Sequence, residues 1–141
     1  MQTWLLYALI SMFFAGLTAV IAKSGMSELS SDVALSVRTS VVFVIVFINA
    51  LLFQNIRTVS DASWKSLMFL CISGVTTSFS WIFYYKAIKI GNVSEVALID
   101  KGSIVITLLL SFWILKEPFT VKTLLGAGLI VSGIGVLTFW K

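Results

Sequence analysis

The sequence contains no histidine and only one cysteine and one proline, and 11% of its residues are charged. With Cys71 as the only thiol, an internal disulfide is impossible, and without histidine the commonest zinc ligands are missing. We therefore expect no metal site and no cofactor. The chain also lacks a Gly-x-Ser-x-Gly motif and a phosphate-binding Gly-x-x-x-x-Gly-Lys motif, which argues against an enzyme and against direct use of ATP.

Positive charge is in excess, but it is not concentrated anywhere in the chain. Ten Lys and Arg residues face six Asp and Glu residues, for a net charge of +4. The basic residues occur singly between apolar segments, without the run or stripe that is typical of nucleic-acid binding. We expect no nucleic-acid partner.

Long apolar segments dominate the chain, with 59% hydrophobic residues and a mean hydropathy of +1.05. A bilayer core about 30 Å thick is crossed by roughly 20 helical residues. Sustained apolar spans lie near residues 3–22, 33–53, 64–86, 94–115 and 119–140. Because backbone groups in lipid need internal partners and these spans lack the alternation of barrel strands, helices are required. The sequence predicts an all-α integral membrane protein, one five-helix domain over residues 1–141 in contact with a lipid bilayer.

The distribution of basic residues between the two membrane sides gives no clear orientation. The predicted topology places Arg57, Lys65, Lys116 and Lys122 on the N-terminal side, and Lys23, Lys86, Lys89 and Lys141 on the other side. Short loops rich in Lys and Arg normally fix the cytoplasmic side, and here the sides are equal. This balance permits insertion in both directions and an antiparallel dimer; the alternative is that other signals fix one orientation.

Three charged residues lie several positions away from the ends of predicted spans, at a depth where charge is costly and indicates function. Arg38 in the second span, and Asp100 and Lys101 in the fourth, lie roughly 7 to 10 Å deep on the same side of the membrane. Asp100 has Arg38 as a possible partner, which leaves Lys101 to find Glu95, a solute or a second chain. Because neighbouring helical residues point about 100° apart, we expect Asp100 and Lys101 to contact different groups rather than each other.

The third span ends on that side with aromatic and basic residues, namely Trp81, Tyr84, Tyr85 and Lys86. Aromatic rings beside charged groups are typical of a pocket for an amphipathic organic solute. The alternative is that these rings are interfacial anchors and that the lysines extend toward water.

Small residues recur along the fifth span, at Gly126, Gly128, Ser132, Gly133 and Gly135. Small residues allow helices to approach closely in lipid, so this stripe predicts helix packing or dimerisation. The preceding Glu117-Pro118 predicts a helix stop, with Thr120 near the start of the next helix.

Four segments carry a family resemblance through their order and spacing. They are YYKAIKIG at 84–91, VALIDK at 96–101, LKEPFT at 115–120 and LGAGLIVSG at 125–133. Together with 14–25 and Arg38 in the first half, they make the chain resemble the EamA-type domain of the drug/metabolite transporter superfamily. The five-helix length resembles its short bacterial and archaeal branch in particular.

This resemblance implies a secondary active transporter of a small organic metabolite or drug in the cytoplasmic (inner) membrane of a prokaryote. Longer relatives contain two such units of opposite topology, which implies an antiparallel, ten-helix homodimer working by alternating access. Asp100, with Lys101, would then couple the binding of a proton or solute to the switch of the binding site from one side of the membrane to the other. The alternative is a non-transporting membrane subunit, or a half-transporter that pairs with another membrane protein.

Overall fold

The computed structural model describes residues 3–53 and 62–139, and every element in these ranges is helical. The helices are α1 (Thr3–Gly25), α2 (Ser31–Phe53), α3 (Trp64–Ile90), α4 (Val93–Asp100), α5 (Ser103–Leu110) and α6 (Val121–Phe139), with a π-helical turn at Ser111–Leu115 after α5. Within the described residues, five stretches are long and apolar enough to cross a membrane: α1, α2, α3, the run Val93–Leu115, and α6. The predicted all-α membrane fold with five spans is confirmed.

The chain divides into two compact units, Met1–Ile90 and Gly91–Lys141. The first contains α1 to α3, and the second contains α4 to α6. The prediction of one domain over the whole chain stays a prediction. Two of the basic residues counted for the membrane orientation, Arg57 and Lys141, lie outside the described residues.

In the part of the chain that the structure describes, α2, α3 and α6 begin with a hydroxyl side chain that accepts a hydrogen bond from a free backbone N–H. The contacts are Ser30 Oγ with Val33 N at 3.3 Å, Ser63 Oγ with Ser66 N at 3.2 Å, and Thr120 Oγ1 with Thr123 N at 3.2 Å. At α6 the cap is reciprocal, because Thr120 N also donates to Thr123 Oγ1 at 3.3 Å. Such caps satisfy the donors that the first turn of a helix leaves unpaired.

Most large apolar side chains point outward, as expected of a chain whose solvent is lipid. The buried apolar side chains are Ala19, Met26, Leu35, Tyr85 and Ile88, all in the first unit. In the second unit, no side chain within 91–139 is buried. The apolar faces of α4 to α6 are therefore available to lipid or to other helices.

The structure differs from the sequence-based expectation at the C-terminal end of α3 and within the fourth span. Helix α3 continues to Ile90, beyond the predicted end near residue 86, and Gly91 follows it. The fourth span is interrupted between Asp100 and Ser103, so it consists of α4 and α5 rather than one regular helix.

Candidate solute-binding sites

Arg38 of α2 lies against two aromatic rings of α3. Its guanidinium carbon is 4.3 Å from the ring centroid of Trp81 and 5.8 Å from that of Tyr85. Trp81 and Tyr85 are four residues apart and therefore share one helix face. A cation this close to aromatic rings gains about 0.5–2 kcal/mol per contact, which fixes the charged group beside α3. The structure thus brings three predicted site residues together.

Arg38 and Tyr85 also line a cavity of about 310 Å³ on the α1 side of α2. Thr18, Ala22 and Val37 contribute to its otherwise largely apolar wall. Arg38 Nη1 and Tyr85 Oη are both buried, and neither has a hydrogen-bond partner among the described residues. Buried polar atoms of this kind are rare because each costs about 1–3 kcal/mol when left unpaired.

A second cavity of the first unit, about 680 Å³ in volume, lies between α2 and α3. Its polar lining consists of Asp32, Ser36, Thr39, Ser40, Ser78 and Trp81. Three of these hydroxyls donate to the carbonyl four residues earlier: Ser36 to Asp32, Ser40 to Ser36 and Ser78 to Gly74. Their oxygens keep lone pairs, so the wall offers acceptors together with the Asp32 carboxylate.

The remaining polar residues at this end of α3 have local partners. Lys86 Nζ lies 4.0 Å from Asp32 Oδ1, and more than half of each side chain is exposed, so the pair contributes at most about 1 kcal/mol. The Tyr84 ring lies beside that of Tyr85, with centroids 6.4 Å apart. Asp32 was not among the predicted site residues, because an acidic residue in the first turn is usual for any helix.

Two lysines join the C-terminal ends of α1 and α3. Lys23 Nζ donates to the carbonyls of Ile88 and Lys89, the latter at 3.0 Å, and Lys89 Nζ donates to the carbonyl of Met26. Each ammonium thus caps carbonyls at the end of the other helix, where the helix dipole favours positive charge. We call this pair the lysine clasp. It lies beside Met26 and Ile88, the most deeply buried side chains.

The interruption of the fourth span is a short stretch of tighter helix. The amides of Lys101 and Gly102 bond to the carbonyls three residues earlier, at 3.1 and 2.9 Å, and those of Ile104 and Val105 do the same at 3.1 Å. A 3₁₀ stretch in mid-helix often marks a hinge or a functional site. Gly102 suits this close packing, because a Cβ atom would lie 3.0 Å from the Ile99 carbonyl oxygen and 3.3 Å from Ile134 Cδ1, and these neighbours would have to shift.

The charged pair at this interruption corrects one sequence-based expectation. Asp100 Oδ2 lies 3.8 Å from Lys101 Nζ, so the two side chains contact each other rather than different groups. In a 3₁₀ turn neighbouring residues point about 120° apart, so the tighter backbone does not itself bring the two groups together. The long, flexible lysine side chain reaches back to the carboxylate. Glu95 accepts a hydrogen bond from Asn92 Nδ2 at 3.0 Å. A pairing of Asp100 with Arg38 stays a prediction.

A cavity of about 760 Å³ lies beside the interruption, within the second unit. Lys101, Ser103 and Thr107 supply its polar groups, and α6 supplies apolar side chains together with Gly133. The arrangement is an apolar chamber with a cation at its edge, which suits an amphipathic solute.

The small residues of α6 leave open space in their own unit. A Cβ atom added at Gly126, Gly128, Gly133 or Gly135 would meet no atom of that unit within 4 Å. Ser132 Oγ donates to the Gly128 carbonyl at 2.8 Å, so its polar atom is satisfied within the helix. The predicted role of this stripe in packing or dimerisation stays a prediction.

Comparison with known proteins identifies the class of protein. The EamA-like transporter family matches residues 2–139, and the chain belongs to this family. A curated relative from Sinorhizobium sp., named "Uncharacterized transporter in cobO 3'region", is 34% identical over 132 residues, which cover 94% of each chain. No solved structure matches. The protein is therefore a multi-pass membrane protein of a transporter family.

Proposed function

We propose that the protein is a secondary active transporter that moves a small organic metabolite or drug by alternating access. The observation that supports this most directly is the interruption of the fourth span at an intramembrane charged pair, next to the 760 Å³ cavity. Secondary transporters commonly bind solutes and coupling ions where a membrane helix is broken. Protonation of the Asp100 carboxylate, or binding of a charged solute to either side chain, would break the contact between Asp100 and Lys101.

The working form in this proposal is an antiparallel homodimer in the inner membrane of a prokaryote. The equal numbers of basic residues on the two sides support insertion in both directions. The second unit also buries little of its own apolar surface, since none of its side chains within 91–139 is buried. The open glycines of α6 offer a surface on which another helix can approach closely.

Transport is tested with the purified chain in liposomes, using labelled solutes of three classes: a carboxylate, a zwitterionic amino acid and an organic cation. Uptake is measured with and without an imposed proton gradient. We expect saturable uptake of at least one solute, and a drop of tenfold or more, about 1.4 kcal/mol, for Asp100→Asn or Lys101→Gln. Glu117→Gln and Lys122→Gln are matched controls, because Glu117 lies between the last two spans and Lys122 lies in the first turn of α6, away from the interruption of the fourth span. Uptake that the two intramembrane variants leave unchanged would refute the coupling role.

Topology is tested separately, by labelling single cysteines from each side of intact cells. The cysteines are placed in the 54–63 connection and at the C-terminus, in a Cys71-free background. Labelling of each position from both sides is expected of a dual-topology homodimer. Labelling from one side only excludes the symmetric antiparallel dimer and favours an oppositely oriented partner protein.

A further inference from the structure

We propose that the 310 Å³ cavity of the first unit binds the carboxylate of a small organic anion between Arg38 Nη1 and Tyr85 Oη. The apolar tail of this anion lies among the α1 and α2 side chains that form the rest of the wall. This inference rests on the proposed transport function and names the class of solute that the first unit recognises.

The two unpaired atoms define the chemistry of the ligand. Arg38 Nη1 carries only hydrogen-bond donors and stays charged, so its partner is an acceptor. Tyr85 is 3% exposed, and its hydroxyl can donate to the same partner. A carboxylate has two acceptor oxygens and one negative charge, so it satisfies both donors and balances the guanidinium.

Trp81 and Tyr85 prepare Arg38 for such a ligand. The ring centroids lie 4.3 and 5.8 Å from the guanidinium carbon and keep the guanidinium beside the cavity. Since Arg38 Nη1 and Tyr85 Oη are buried in the empty site, both side chains turn toward the cavity when the anion binds. Interaction with ring faces uses the charge of the guanidinium but leaves its N–H donors available in its plane.

The rest of the wall excludes cations and favours a compact anion. None of the residues that line this cavity is acidic, so an ammonium group has no counter-charge there. The Asp32 carboxylate belongs to the separate, hydroxyl-lined cavity between α2 and α3. A volume of about 310 Å³ is at the lower end for small-molecule pockets, which limits the tail to a few carbon atoms.

The experiment measures binding of radiolabelled isovalerate to the full-length chain in lipid nanodiscs. The competitors are isovaleramide, which has the same shape without charge, and isoamylamine, which is a cation. We expect isovalerate to bind, isovaleramide to compete at least about tenfold more weakly, and isoamylamine not to compete, because hydrogen bonds to a charged group are the stronger ones. Equal competition by the amide overturns the proposal.

Two variants locate the site. Tyr85→Phe keeps the ring beside Arg38 and removes only the unpaired hydroxyl, so isovalerate affinity should fall about tenfold. The same change should leave the thermal stability of the unliganded protein equal or higher, since an unsatisfied buried group is removed. Tyr7→Phe is the matched control, because Tyr7 is exposed on α1 and its change should leave affinity unaltered. Arg38→Lys keeps the charge without the planar fork and should weaken binding as well.

The outcomes separate this inference from the proposed transport function. Unchanged isovalerate affinity in Tyr85→Phe and Arg38→Lys refutes the carboxylate site, even if liposome uptake of another solute succeeds. Isovalerate binding that responds to both variants supports the site, even if no solute is transported. Loss of stability in Tyr85→Phe together with loss of binding would show that the hydroxyl is structural and would overturn the proposal.

Discussion

Gly102→Ala tests whether the interruption of the fourth span depends on close packing. The backbone of Gly102 has φ −59° and ψ −21°, which alanine adopts without strain, and alanine in a helix is favoured over glycine by about 0.5–1 kcal/mol. Against this gain, the new Cβ atom lies 3.0 Å from the Ile99 oxygen and 3.3 Å from Ile134 Cδ1. Overpacking of this kind typically costs about 1–3 kcal/mol. The second effect is the larger, so a net loss of about 0–2 kcal/mol is expected.

The matched control is Gly74→Ala in the interior of α3, where an added Cβ atom meets nothing within 4 Å. This substitution should be neutral or stabilising, because only the helix preference acts. The midpoint of thermal unfolding in detergent, followed by tryptophan fluorescence, measures both variants. Gly102→Ala should unfold at a lower temperature than Gly74→Ala.

A second substitution separates the two close contacts at Gly102. Ile134→Val removes the Cδ1 atom, so it should recover part of the stability that Gly102→Ala loses, while the contact with the Ile99 oxygen remains. The remaining contact arises from the tight i−3 bonding and should push the span toward a regular helix, reducing solute uptake. If Gly102→Ala raises the unfolding midpoint as much as the control and Ile134→Val gives no recovery, the packing argument is wrong.

Two further substitutions test helix ends by the same measurement. Lys89→Met keeps the apolar stem but leaves the Met26 carbonyl without its ammonium donor, so a loss of about 1–3 kcal/mol is expected, whereas Lys65→Met at an exposed position should change little. Thr120→Ala removes the cap of α6 and should cost about 1 kcal/mol, whereas Thr120→Ser keeps the hydroxyl and should restore most of it; equal stability of the two would contradict the capping role.

The five spans and the start of α6 followed from local sequence patterns. Apolar length alone identifies a membrane helix, because lipid forces every backbone group to bond within its own segment. Thr120 after Glu117-Pro118 was expected near a helix start, and it is the residue that caps α6. Both features depend on residues that are near one another in the chain.

The interruption at Gly102 was not predicted, because a single glycine within an apolar run is compatible with a regular helix. One of the two atoms that a Cβ at Gly102 would crowd is Ile134 Cδ1, which belongs to a residue distant in sequence. The lysine clasp was missed for the same reason, since Lys23 and the carbonyls it binds are separated by 65 and 66 positions. The expectation for Asp100 and Lys101 was wrong because it considered only the directions in which the two residues leave the helix, whereas the long lysine side chain turns back to the carboxylate.

Satisfaction of polar groups connects the fold to the solute proposal. Hydroxyls such as Ser36 and Ser78 bond to their own helices, the clasp lysines bond to helix ends, and Asp100 pairs with Lys101. Among the described residues, the buried side-chain atoms that lack a partner are Arg38 Nη1 and Tyr85 Oη, and both residues line one cavity. These two groups are therefore donors that an arriving anion can satisfy, and the empty site offers no competing partner for them. Leaving Arg38 Nη1 and Tyr85 Oη unpaired destabilises the empty site, and binding of the anion removes this cost, which increases the affinity.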